Sequence, residues 1–286
     1  MTARSRAADR VATVVSALGA SLLLLFLAAP TVGLVGAAGA GGLRLLASDA
    51  ELQGALALTA ATATAATLIG IVGGTPIAYL LARRTFRGRA LLAALLDLPL
   101  LIPHPVAGIA LLLVLGRGSP LGQALLEAGI RITGSPVGIV CAMLFVSAPL
   151  FVSGARETFT RVDARYEAVA RTLGDSPWRA FRRVTLPLAG RGLLAAGVVM
   201  WARAVSEFGA IVILTYNPKV ASVLSYDRFT SYGLDEALPV AAVLVVLAVV
   251  PLALLRALRG EEGGGRREGR VAAGSPPSFL PPPSSL

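Results

Sequence analysis

Histidine, cysteine and lysine occur once each in this sequence, as His104, Cys141 and Lys219. One cysteine excludes an intramolecular disulfide and any multi-cysteine metal site. One histidine excludes a histidine cluster. Lys219 is followed by valine, so the chain holds no GxxxxGK[ST] phosphate loop, and any ATP that drives its work must bind to another subunit. HExxH, GxSxG and an acidic metal cluster are also missing, which leaves a membrane-embedded enzyme with the least support. Charge is scarce too: 15% of the 286 residues are charged and 55% are hydrophobic. With a mean hydropathy of +0.75, the chain is too apolar for an ordinary soluble domain. The net charge of +10 invites a nucleic-acid reading, but no basic surface interleaved with aromatics accompanies it. No nucleic-acid partner and no cofactor are expected.

An apolar helix of about 20 residues crosses the hydrocarbon core. Six such spans can be drawn: Val11–Val35, Gly54–Ala82, Ala90–Leu115, Gly134–Gly154, Gly192–Tyr216 and Ala237–Leu258. The first is longer than the apolar region of a signal peptide and is expected to be retained. The third carries Asp97 and prolines at Pro99, Pro103 and Pro105. Proline removes a backbone donor and kinks a helix, so a bend facing a cavity or packed on a neighbour is expected there.

Arginine placement orients the chain. With the N-terminus inside, 20 of the 26 basic residues fall in inner segments: residues 1–10, the loop from Arg83 to Arg89, the long loop from Arg156 to Arg191, and the tail. The outer segments hold Arg44, Arg117, Arg131, Lys219 and Arg228. The asymmetry predicts cytoplasmic termini and a cytoplasmic loop over residues 156–190. Residues 11–258 then form one membrane domain. The Gly-, Pro- and Ser-rich stretch from Gly260 to Leu286 cannot bury a core and is expected to be disordered.

The long loop has its own internal pattern. Tyr166, Val169, Ala170 and Leu173 are spaced along one helix face. Gly174 suits the left-handed position that ends a helix. Ser176 is a good N-cap and Pro177 a good first helical residue. Leu186-Pro187 fits a turn before the fifth span. Two short helices joined at a glycine make a compact knob, with Trp178 and Phe181 as apolar anchors and Arg179, Arg182 and Arg183 supplying charge. Such side chains are frequent hot spots of docking surfaces; a helix lying on lipid headgroups has similar composition.

From Glu167 to Pro187 the chain reads EAVARTLGDSPWRAFRRVTLP. Ala168-Val169-Ala170 precede Gly174 by three residues, and Val184-Thr185-Leu186-Pro187 follow it after nine. This spacing resembles the EAA loop of ABC importer permeases, the element that seats in a groove of the ATPase subunit. The glutamate, Glu167, stands one place before the position that gives the motif its name. The segments DLPLLIPHPVAGIALLL, GIVCAMLFVSAPLFVSGARETF, MWARAVSEFGAIV and NPKVASVLSYDRFTSYGL are similar to the molybdate and tungstate group of these permeases. Sulfate and thiosulfate permeases share much of the WAR…EFGA stretch. The resemblance implies an all-α integral membrane protein of the prokaryotic inner membrane, with six transmembrane helices in the type I (MetI-like) fold. It implies a homodimer that works with two ABC ATPase subunits and an external binding protein delivering molybdate or tungstate. The ATPase-coupling residues it implies are Glu167, Ala168, Ala170, Gly174, Ser176, Pro177, Trp178, Phe181, Arg182, Leu186 and Pro187.

Charges at membrane depth mark interior faces or functional paths. Arg203 and Glu207, four apart on the fifth span, are expected to share a helix face. With Pro103, His104, Ser206 and Gly209 they form the candidate path or gate, a structural ion pair being the competing reading. Because a permeating ion must leave as well as enter, Arg203 is not cast as a tight anion ligand. Thr59, Thr62, Thr64 and Thr67 make a polar stripe on the second span, explained by bonds to the helix backbone or by a wet cavity. The segment from Asn217 to Glu236, with its charges and Tyr226, Phe229 and Tyr232, is expected to touch the binding protein or to cap the cavity. A secondary transporter using Asp97, Glu207 and His104 as an ion path is the main rival. It lacks a visible inverted repeat and leaves the knob without a purpose.

Overall fold

The structure, a computed structural model, describes residues 3–268. Among these residues all regular structure is helical. Helix α1 (Ala3–Ser48) breaks at Gly39, whose φ of 48° is left-handed, and α2 (Ala50–Arg83) follows after Asp49. Then come α3 (Arg89–Leu101), α4 (His104–Leu115), α5 (Pro120–Glu127), α6 (Pro136–Arg161), α7 (Arg165–Thr172) and α8 (Pro177–Ala180). A wide π-helical turn, Phe181–Thr185, leads into α9 (Leu186–Val205), which is followed by α10 (Gly209–Leu214), α11 (Ala221–Tyr232) and α12 (Leu234–Glu268).

Five of the helical stretches are long and apolar enough to cross a membrane, and the pair α3–α4 makes a sixth if its two arms count as one span. The expected kink in the third span is a sharp bend of 115° between those arms. Ile102 and Pro103 are extended there, and Pro103 and Pro105 withhold the backbone donors that could continue the helix.

The core is the trio α2, α6 and α9. In lipid the hydrophobic effect does not drive one helix onto another, so packing depends on small residues that let backbones approach. A methyl group at Gly74 would lie 2.9 Å from the Phe151 ring, and Gly70 and Gly197 give similar room to Met200 and Ile71. Half of the threonine stripe is answered by the helix itself: Thr59 and Thr62 donate to the carbonyls of Ala55 (2.6 Å) and Leu58 (2.7 Å), whereas Thr64 accepts the Trp201 indole N–H at 3.0 Å and the buried Thr67 hydroxyl has no partner. Helix α1 lies outside this trio, packs mainly on α12, and leaves Leu22 and Phe26 exposed for lipid or another chain.

Three expectations need correcting. The turn foreseen at Leu186-Pro187 is instead helix, continuous from α8 through the π turn into α9. Pro187 offers no N–H to the ladder, and the wide turn, where the Leu186 N–H reaches the Phe181 carbonyl, accommodates the mismatch. The fifth span stops at Val205 rather than running on to Tyr216. Finally, α12 continues to Glu268, past Gly260, so the first part of the expected tail is helical. The rest of the expected tail, 269–286, lies outside the described residues.

Candidate functional site

The knob hangs between α6 and α9. Asp163 opens it by accepting the Arg165 N–H at 2.9 Å, and α7 follows. Gly174, with φ of +98°, ends that helix as its sequence position requires, and nothing crowds the space a side chain would take. The Ser176 hydroxyl then caps α8 by accepting the Arg179 N–H at 3.3 Å.

Two faces of the knob differ in role. Tyr166, Val169, Leu173 and Trp178 are exposed, Leu173 to 84%. Ala168, Pro177, Arg182 and Pro187 are exposed as well, while Ala170 and Leu186 are half-buried. Phe181, expected as a second anchor, points inward instead: it is 9% exposed. Its ring packs against Tyr79 and Phe159, with centroids 4.7 and 6.1 Å away, and Trp178 stacks over it at 5.6 Å. Glu167 also turns inward. Its carboxylate accepts the Tyr79 hydroxyl at 2.8 Å and the Thr185 hydroxyl on the other oxygen. The Arg83 guanidinium adds a bond to the Val162 carbonyl at 2.8 Å. The knob is therefore strapped to the end of α2. Sequence reasoning passed over Tyr79, 88 residues from Glu167; a lone phenol near the polar end of an apolar span was the one available signal.

A second site lies where two broken helices meet. The α3–α4 break places His104 at the start of α4, and the α9–α10 break places Glu207 between Val205 and Gly209. Arg203 and Glu207 are thus not one helical face. Glu207 sits past the end of α9, is 1% exposed, and caps α10: Oε1 accepts the Ala210 N–H at 2.9 Å. Oε2 pairs with Arg203 Nη2 at 2.8 Å, and the same Nη2 meets His104 Nε2. The Glu207 carbonyl accepts the Ser222 hydroxyl at 2.6 Å. A buried carboxylate without partners would be strongly destabilising; here both of its oxygens and the Glu207 carbonyl are bonded. Gly209 makes the crossing possible, because a methyl group there would lie 2.8 Å from the His104 Cβ. Pro103 and Ser206 are exposed beside the cluster. Asp97 is exposed on α3 and takes no part in these bonds.

At the far end of α2 the segment after α10 pairs with itself and with the α1–α2 junction. Arg228, 8% exposed, binds Asp49 at 2.5 Å and Glu51 at 3.3 Å. Lys219 binds Asp227 at 2.6 Å. Burial works against the Asp49 charge, but the Leu52 N–H and Arg228 outweigh it and hold the carboxyl below its ordinary value. The hydrogen bonds from Lys219 and Tyr216 hold Asp227 low, and Asp227 in turn raises Lys219. Tyr226, Phe229 and Tyr232 remain exposed on α11. Among the described residues no group of three or more His, Cys, Asp or Glu side chains could hold a metal ion.

Residues 74–259 match the family model described as the inner membrane component of binding-protein-dependent transport systems. The chain is 44% identical over 201 residues to a molybdate/tungstate transport system permease protein of Thermococcus kodakarensis, covering 70% of this chain and 76% of that one. It is 33% identical over 219 residues to a sulfate transport system permease protein of Synechocystis, covering 75% and 79%. Among solved structures, it is similar in fold to a chain of a bacterial ABC transporter that imports the acidic polysaccharide alginate. The TM-score is 0.67 at 16% identity, over 90% of this chain and 98% of that one.

Proposed function

This chain belongs to the inner membrane components of binding-protein-dependent transport systems, a multi-pass permease family, and from that premise we propose that it forms the translocation path of an ATP-driven molybdate/tungstate importer. Two copies enclose the path. Two ABC ATPase subunits sit against the knobs on the cytoplasmic side, and an external binding protein delivers the oxyanion to the opposite face. The higher identity to a molybdate/tungstate permease than to a sulfate permease supports the substrate class. Sulfate or thiosulfate remains the second reading on the strength of that sulfate relative.

The observation that carries the coupling role is the two-sided knob. Its exposed face holds Tyr166, Val169, Leu173 and Trp178, while its inner face is bonded through Glu167 to α2. A surface that only docked would not need that strap, and one that only rested on lipid headgroups would not need to be tied to the bundle. An ATPase closing on the exposed face would move α7 and α8, and the bonds to Tyr79 and Thr185 would pass that motion to α2 and α9. Any such change must come from a partner that binds the two conformations with different free energies.

Co-purification tests the reading. Membranes co-expressing the chain with an ABC ATPase subunit of a molybdate/tungstate importer should yield a complex that Trp178→Ala weakens about thirtyfold, the loss expected for an aromatic hot spot of roughly 2 kcal/mol. Molybdate uptake into vesicles should stop when ATP is withheld. Uptake that continues in energised vesicles without ATP would favour an ion-driven transporter, and retention of the ATPase by the Trp178→Ala protein would remove the knob from the coupling role. Competition by excess sulfate separates the two anion classes.

A further inference from the structure

The helix-break cluster holds a charge arrangement that path geometry alone does not call for. Arg203 Nη2 is occupied by Glu207 and His104, but Nη1 has only a long contact of 3.5 Å to the Ser206 hydroxyl, which itself donates to the Arg203 carbonyl at 3.0 Å. Ser206 is exposed, and the His104 side chain is 41% exposed against 1% for Glu207. The donors therefore lie toward open space and the carboxylate lies behind them. Glu207 cannot readily swing forward, since one oxygen caps α10 and its carbonyl is held by Ser222.

We propose that the open edge of Arg203, with the Ser206 hydroxyl and the His104 imidazole, is a transient contact for a tetrahedral oxyanion, and that buried Glu207 weakens it by cancelling the arginine charge. This rests on the transporter reading and adds the residues that touch the anion. Guanidinium donors match the oxygens of such an anion, and the Ser206 hydroxyl joins them by exchanging its 3.0 Å bond to the Arg203 carbonyl for one to the anion. An uncancelled arginine at membrane depth would hold a dianion too tightly for passage. A fixed carboxylate 2.8 Å away leaves directional donors with little net charge, which suits a brief stop. Because both breaks contribute, with His104 from one and Arg203 and Ser206 from the other, movement of α4 against α10 would make or dismantle the contact.

Charge-selective labelling tests this without ATPase or binding protein. The full-length chain carrying Cys141→Ala and Ser206→Cys, in membrane vesicles, is treated with sulfonatoethyl methanethiosulfonate or with its trimethylammonium counterpart. With each rate divided by the reagent's rate toward a free thiol, the anionic reagent should be favoured about twofold, because the arginine edge faces the opening and the carboxylate behind it cancels most, not all, of its charge. Adding Glu207→Gln should widen the preference, Arg203→Lys should keep it, and Arg203→Gln should abolish it. The double variant Arg203→Gln with Glu207→Gln leaves no buried charge unpaired and should also show no preference. Millimolar molybdate should slow the anionic reagent more than sodium chloride of equal ionic strength does. Equal rates, absence of labelling, a preference that survives in the double variant, or no protection by molybdate would each overturn the proposal. None of these outcomes touches the co-purification result, so the contact and the importer reading can fail separately.

Discussion

Replacing Tyr79 by Phe removes one oxygen and keeps the ring. The ring contacts to Phe159 and Phe181, with centroids 5.6 and 4.7 Å away, should survive. What goes is the 2.8 Å bond from the phenol to Glu167. Hydrogen bonds to a charged group are worth about 1.5–3 kcal/mol; the strap is only partly buried, so the lower end applies. Thr185 still holds the other carboxylate oxygen, so the knob should loosen rather than detach. A loss of about 1.4 kcal/mol is a factor of ten in an opening equilibrium. Hydrogen exchange of the full-length chain in nanodiscs, followed by mass spectrometry, reads that factor. Amides of α7, including Ala168 and Leu173, whose partners are the Ala164 and Val169 carbonyls, should exchange about tenfold faster in Tyr79→Phe. Amides in the middle of α6 should not change. Thr185→Val should give a similar effect, and the double variant should depart from additivity because both bonds end on one carboxylate. Unchanged exchange in α7, or acceleration shared equally by α6, would refute the strap.

Other consequences can be measured directly. Gly209→Ala places a methyl group 2.8 Å from the His104 Cβ and 3.0 Å from the Pro105 ring. The proline backbone cannot yield easily, so a loss of about 1–3 kcal/mol is expected, seen as a lower melting temperature in detergent. Gly190→Ala, where nothing crowds the added carbon, serves as the neutral comparison. Acid should loosen the junction between α11 and the α1–α2 corner. Asp49 and Asp227 both have folded values below the ordinary 3.8. Their contribution is therefore fully present above that value and is lost as pH falls through the lowered ones. Melting curves from pH 5 downward should show this loss, and the double variant Asp49→Asn with Asp227→Asn should flatten the dependence.

Legibility tracked the range of the interaction. Composition and apolar runs were enough for a helical membrane protein with its spans in order, because a bilayer demands long apolar helices. The EAA-like spacing was enough for the knob, because Gly174 and Ser176 act through their own backbone and near neighbours. The π turn at Phe181–Thr185 and the end of α9 at Val205 were not legible; in both places the local composition remained that of a continuous or turn-broken span. Of the path residues from Pro103 to Gly209, His104, Arg203, Ser206 and Glu207 share bonds, but Arg203 and Glu207 do not lie on one helix face because α9 ends at Val205.

By itself, then, the sequence determined the class of molecule, the order of its apolar helices and the short-range signals of the knob, since these depend on hydropathy and on φ preferences within a few residues. Only the tertiary structure decided direction: that Glu167 and Phe181 turn into the bundle while Trp178 turns out, and that His104 meets Arg203 across 99 residues of chain. The physical reason is that a side chain's orientation depends on which distant surface is close enough to bury or bond it. That surface exists only once the helices have packed.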